Sequence, residues 1–254
     1  MILAFDIGNT SIGCAVFEGE TAVASWRIPT DPQIAWEAYA TLVEESASSN
    51  GIDGAALTGG MTSSVVRGMG PKLIQAVHSL WGLTCTEVIP SMDLGIEVAV
   101  SRPELIGVDR LLSAGAAFRL SKGAAITVGL GTAITADLVS RSGHFLGGTI
   151  SAGVRTSLWS LSNRTSLLPQ VEPEAPKSIL GTGTVDAIQA GVLYGAAGAV
   201  DRLVQELSQA SKEDPEVFVT GGDADLVSPY LQSRHQVESD LVLRGLAWVS
   251  SNSS

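Results

Sequence analysis

Three short stretches carry side chains suited to handling a phosphate chain and an alcohol. Asp6 stands directly before a turn, Gly8-Asn9-Thr10. A carboxylate there offers a ligand to Mg2+ or its water shell, and Gly8 allows close backbone approach. Asn9 and Thr10 add donors for phosphate oxygens. Gly131-Thr132 makes an equivalent turn in the second half. The third stretch, Gly107-Val108-Asp109-Arg110, sets a carboxylate beside a guanidinium at the opening of a helix. Transfer of a phosphoryl group to an alcohol needs the hydroxyl oriented and its proton accepted, with little covalent help. Asp109 suits that task, and Arg110 suits a bidentate grip on an acceptor carboxylate. Plainer readings of the same residues stand beside these: two hairpin turns, and a helix start whose aspartate answers the macrodipole. Thr220-Gly221-Gly222 reads equally as flat backbone under an adenine or ribose and as an ordinary strand-to-helix turn.

The elements that must hold these stretches follow from periodicity. Residues 1–7 are an apolar run, followed by a second run, Ile12 to Phe17, and a third strand near Ala22 to Ile28. Residues 33–49 recur as an amphipathic helix through Ile34, Ala38, Leu42 and Val43. A short strand is expected over Gly54 to Leu57, closed by Thr58-Gly59-Gly60, and a helix over Pro71 to Leu80. The second half repeats this order. Strands are expected over Ala124 to Leu130, Ile134 to Val139 and Phe145 to Ile150, and Val217 to Val219 closes with Thr220-Gly221-Gly222. Such a repeat indicates duplication of one α/β unit. Between the halves Leu111 to Leu120 reads as a small-residue helix. Residues 184–209 read as a long one, whose Gly191, Gly195 and Gly198 admit close approach of another helix. The serine-rich end after Trp248 is expected to fray.

Composition excludes several function classes. Twenty-six acidic residues against fifteen basic ones give a formal charge of -11 and no polybasic stripe, which disfavours nucleic acid and anionic membrane as partners. Cys14 and Cys85 are far apart, and the three histidines are scattered, so neither a disulfide framework nor a zinc site is indicated. The opening residues reach Asp6 without a basic leader, unlike a signal peptide.

Taken together, Asp6-Ile7-Gly8-Asn9-Thr10, Gly107-Val108-Asp109-Arg110, Gly131-Thr132-Ala133, Gly147-Gly148-Thr149-Ile150 and Thr220-Gly221-Gly222 resemble, in order and spacing, the type III pantothenate kinases. The resemblance runs from Met1 to about Gly245. It implies an α/β chain with a duplicated ribonuclease H-like, actin-like ATPase fold and a central mixed sheet in each half, here divided as residues 1–108 and 109–254. It also implies a cytoplasmic homodimer with sites near the interface, and ATP-dependent phosphorylation of pantothenate with Mg2+. Carried over by position, the nucleotide-binding residues are Asp6, Ile7, Gly8, Asn9, Thr10, Ser11, Ile12, Gly13, Gly131, Thr132 and Gly221, with Asp6 toward Mg2+. The pantothenate contacts fall on Gly107, Val108, Asp109, Arg110 and Thr184, and Asp109 is the proton acceptor. Three positions depart from the family pattern. Gly129 stands where an aspartate commonly serves bound K+ or NH4+, which puts a monovalent-cation site in doubt. Arg102 replaces an asparagine before Pro103, and Ile134 replaces a frequent threonine. These departures keep open a non-catalytic nucleotide- or pantothenate-binding regulator on the same fold, and a kinase for another small alcohol.

Overall fold

The computed structural model describes residues 1–252 as two compact units, each built on its own sheet. The first sheet comprises β1 (Ile2–Ile7), β2 (Ser11–Glu18), β3 (Thr21–Pro29), β4 (Gly59–Ser64) and β5 (Cys85–Glu87) in the order β3-β2-β1-β4-β5. β1, β2 and β3 form an antiparallel meander, while β4 runs parallel to β1 and β5 parallel to β4. Strand alternation sends Leu3, Phe5 and Ile7 to the same core as Ile12, Cys14 and Val16. There they meet Tyr39 and Val43 of α1 (Trp36–Ser49) and Leu73 and Val77 of α2 (Met69–Trp81). α2 stops where Gly82 takes a left-handed conformation and donates its N–H to the His78 carbonyl at 2.8 Å.

After β6 (Glu97–Val98), α3 (Val108–Ser121) leads to the second sheet. It adds β7 (Ala125–Leu130), β8 (Ala133–Val139), β9 (His144–Ala152), β10 (Glu216–Thr220) and β11 (Gln236–Val237) in the order β11-β10-β7-β8-β9-β6. The helices are α4 (Val154–Arg164), α5 (Thr184–Ser211), α6 (Ala224–Val227) and α7 (Leu241–Asn252). Apart from β6, the run β9-β8-β7-β10-β11 repeats β3-β2-β1-β4-β5 in order and in strand direction. The duplication read from the sequence is therefore present, as two mixed sheets of one topology.

Several expected boundaries move. Gly54–Ala56 is a 3-10 turn, its Asp53 side chain accepting the Ala55 N–H, and Thr58-Gly59-Gly60 opens β4 where it was expected to close a strand. The counterpart of Thr220-Gly221-Gly222 is consequently Ser63-Ser64-Val65, because Asp6 pairs with Ser63 as Gly129 pairs with Thr220. The two Thr-Gly-Gly strings coincide without sharing a structural role. The C-terminal segment is helical to Asn252, where fraying was expected after Trp248. The units also differ from a single cut after residue 108. Met1–Glu97, Ser101–Ala116 and the chain from Asp240 form one, and Val98–Val100 with Ala117–Ser239 form the other. In the first unit α7 packs on β1, β2 and β4, and a β-carbon on Gly245 would lie 2.6 Å from the Leu112 carbonyl oxygen, so α7 and α3 approach closely there. Gly191, Gly195 and Gly198 face open space, and no helix among the described residues fills the approach they allow.

Candidate active site

In the first unit, β1 delivers Asp6 to the sheet edge, opposite Gly13 of β2 and Ser63 of β4. The Ser63 hydroxyl donates to Asp6 Oδ1 at 3.3 Å. The turn after Asp6 is fastened at both ends. Gly8 N–H donates to Ser11 O at 3.1 Å, and Thr30 closes the open side by donating its hydroxyl to Gly8 O at 2.7 Å and its N–H to Thr10 O at 3.2 Å. Asn9 and Thr10 are exposed at the tip. Ile7 and Ile12 are fully buried in the core, so they hold the turn in place and leave ligand contact to its backbone and polar side chains.

Asp109 lies in the first turn of α3, and its carboxylate accepts backbone N–H groups, including that of Arg110. The carboxylate folds back over Gly107, whose β-carbon, if present, would overlap Asp109 Oδ1. A side chain at 107 would evict the acid. Burial raises the pKa of Asp109 above the usual carboxylate range, against the lowering effect of the Arg110 N–H and guanidinium. Asp6 is pushed up to about 7, first by burial and then by the charge of Asp109, against the Ser63 hydroxyl and Arg27. The structure thus brings Asp6 and Asp109 into one electrostatic site. No group of three or more His, Cys, Asp or Glu side chains gathers among the described residues. A donor set of one or two carboxylates with a hydroxyl nearby fits Mg2+, which keeps water and substrate phosphate in the rest of its shell.

In the second unit the matching turn is built with equal care. Gly153 N–H and the Thr156 hydroxyl both donate to Thr132 O, at 3.1 and 2.6 Å. A β-carbon on Gly153 would overlap the Gly131 carbonyl oxygen, so only glycine lets α4 begin against this turn. Gly221, with φ of +104°, lies against Leu130, and Asp223 N–H donates to Leu130 O at 3.0 Å. Gly131, Thr132 and Gly221 are therefore assembled together. Thr184 is exposed at the first residue of α5. A β-carbon on Gly129 would stand 2.6 Å from Thr135 Oγ1, so the cross-strand threonine occupies the space an aspartate would need. Ile134 is core. Arg102 is exposed, ahead of a 3-10 turn at Pro103–Leu105.

Sequence reading missed Ser63 because β4 was placed too early, and missed α4, whose apolar stripe is thin. Arg27, whose charge acts on Asp6, falls within the third strand expected near Ala22 to Ile28, where nothing in the sequence sets it apart.

The family model of the type III pantothenate kinases matches residues 2–206. The chain belongs to this family. Its similarity to the type III pantothenate kinase of Syntrophotalea carbinolica is 36% identity over 250 residues, covering 97% of this chain and 96% of the relative. The corresponding protein of Geotalea daltonii is 34% identical over 246 residues, with coverage of 97% and 96%. Among solved structures, a Baf-family protein of Campylobacter jejuni titled a transcriptional activator aligns with a TM-score of 0.60 at 17% identity, covering 99% and 98% of the two chains. Component A of (R)-2-hydroxyglutaryl-CoA dehydratase from Acidaminococcus fermentans aligns at 0.55 and 13%, covering 98% and 95%. At those identities the structural likeness speaks for the fold alone, and it agrees with the duplicated actin-like ATPase architecture.

Proposed function

We propose that this kinase transfers the terminal phosphoryl group of ATP to the hydroxyl of pantothenate, giving 4'-phosphopantothenate and ADP, the entry step of coenzyme A synthesis. The observation that carries the reading is that the charge of Asp109 acts on Asp6: two half-buried carboxylates, one beside a phosphate-binding turn and one at a helix start next to Arg110.

In this reading the Asp6 to Gly13 turn and the Gly131-Thr132 turn each bind phosphate oxygens through N–H and hydroxyl donors, with Gly221 backing the adenosine. Asp6 would hold Mg2+ together with the phosphates, and the ion would supply charge neutralisation for the transferring group. Asp109 accepts the alcohol proton, and a base raised above the ordinary carboxylate range is better matched to that transfer near neutral pH. Gly107 leaves the room Asp109 needs, and Arg110 binds the pantothenate carboxylate with Val108 and Thr184 lining the acceptor side. No monovalent cation is required, because Thr135 fills the place at Gly129.

The protein acts as a cytoplasmic homodimer. Supporting the dimer, α5 exposes Val185 and Tyr194 beside glycines that face open space, and Thr184 opens the same helix. No helix among the described residues is long and apolar enough to cross a membrane. The test is direct: protein, ATP, Mg2+ and pantothenate are incubated and 4'-phosphopantothenate is followed by mass. Absence of product in both potassium and sodium buffers sinks the assignment.

A further inference from the structure

Asp6, Gly13 and Arg27 stand in one cross-strand row, Asp6 paired with Gly13 and Gly13 with Arg27. Directly paired residues of an antiparallel sheet point to the same face. Arg27 therefore shares the face of Asp6, with Gly13 between them and the Leu243 side chain 3.5 Å from where a β-carbon on Gly13 would stand. β3 is the edge strand of its sheet, and Arg27 is exposed on it. Its guanidinium is nevertheless turned toward the phosphate-binding turn, with Nη1 donating to Ser11 Oγ at 3.3 Å. Among the described residues it has no carboxylate partner, although the protein carries 26 acidic residues. Its charge reaches Asp6, whose pKa it lowers. The same strand end holds the turn shut through Thr30. A guanidinium aimed at a neutral hydroxyl, with its other nitrogens uncommitted, is arranged for an anion that has yet to arrive.

We propose that Arg27 is a catalytic residue, gripping the terminal phosphate of the bound nucleotide from across Gly13. The inference rests on the kinase reading above and adds to it a residue that the family stretches do not include. Electrostatics demands such a group. The site already holds Asp6 and Asp109 within a chain of net charge -11, so a polyphosphate needs more positive charge than a single divalent ion supplies. In the transfer, the bond from the terminal phosphorus to the bridging oxygen breaks and the alcohol oxygen bonds to that phosphorus. The alcohol proton passes to Asp109, and ADP leaves with the bridging electrons. Arg27 donates to equatorial oxygens whose charge is redistributed as the group passes.

Arg27→Gln is expected to lower kcat/KM for ATP by about 100-fold or more, with the KM for pantothenate within about twofold. Arg27→Lys, which keeps the charge without the fork, is expected to fall between the two. Because Arg27 is exposed, neither change should move the melting temperature appreciably, which separates ligand contact from a structural role. Affinity for Mg·ATP, measured by calorimetry on the same proteins, should drop about 10-fold or more in Arg27→Gln. A wild-type protein that binds Mg·ATP but forms no phosphopantothenate refutes the acceptor assignment, and the nucleotide affinities then decide Arg27 by themselves. Mg·ATP affinity in Arg27→Gln within about threefold of wild type overturns the proposal, as does a loss confined to the pantothenate KM.

Discussion

Replacing Asp6 with Asn should stabilise the metal-free protein while abolishing its turnover, and the size of the gain should depend on pH in a defined direction. Asp6 rises from an ordinary value of 3.8 to about 7 in the folded protein. A folded pKa above the unfolded one means that the native state holds the proton more tightly. The stabilisation from that proton is complete below 3.8 and is lost as pH climbs to about 7, beyond which the wild-type curve is flat. At about 1.36 kcal/mol per pH unit, the span from 3.8 to about 7 sets a ceiling of about 4 kcal/mol. Water entry and local relaxation around the ionised group reduce what is observed, to about 2 kcal/mol. Asn carries no charge in either state, so it escapes the loss, and its carbonyl can still accept from Ser63. In EDTA at pH 8, Asp6→Asn should melt about 4–8 °C above wild type, at about 2–4 °C per kcal/mol for a chain of this size. At pH 5 the gap should be smaller. Saturating Mg·ATP should reverse the order, since it stabilises only a protein that binds it. A gap that does not vary with pH, or a variant less stable than wild type at pH 8, would refute the reasoning.

Four further outcomes are expected. Asp109→Asn should cut turnover by about 100-fold or more with Mg·ATP affinity nearly unchanged, and a matching loss of nucleotide affinity would reassign the residue. In the wild type, log(kcat/KM) should rise with pH through a limb above the usual carboxylate range, because burial raises Asp109; a limb near pH 4 counts against it as the base. Gly153→Ala should destabilise the second unit by about 1–3 kcal/mol and weaken Mg·ATP binding, read from urea midpoints and calorimetry, since its methyl would strike the Gly131 carbonyl. Exchanging K+ for Na+ should change turnover by less than about twofold, in keeping with the filled position beside Gly129.

What was legible in the sequence was chiefly local. The first three strands and the second meander announce themselves as short apolar runs bounded by turn residues, and α5 through its length. Asp6, Asp109 and Thr132 were visible because each lies within two residues of a glycine in a short polar stretch. Ser63 was hidden by two small hydroxyl residues at the end of a strand that begins with two glycines, where propensity points to a loop. β5 and β11 span three and two residues and depend on parallel pairing with distant strands, which no local pattern encodes. Gly153 became interpretable only once its contact with the β7–β8 turn was known. The fold was right in part through an accident: the repeated Thr-Gly-Gly suggested duplication, yet strand order and register are what establish it.

The return of α7 to the first unit has a consequence for biogenesis. A ribosome makes the strands and turn around Asp6 first, but the helix that lies on β1, β2 and β4 and crosses α3 at Leu112 emerges last. The nucleotide turn and the acid at the start of α3 therefore wait, incompletely packed, while some 120 further residues are synthesised, a delay of many seconds at usual elongation rates. The second unit, continuous from Ala117 to Ser239, can mature meanwhile. Nascent chains arrested before Asp240 should accordingly leave the opening unit open to protease.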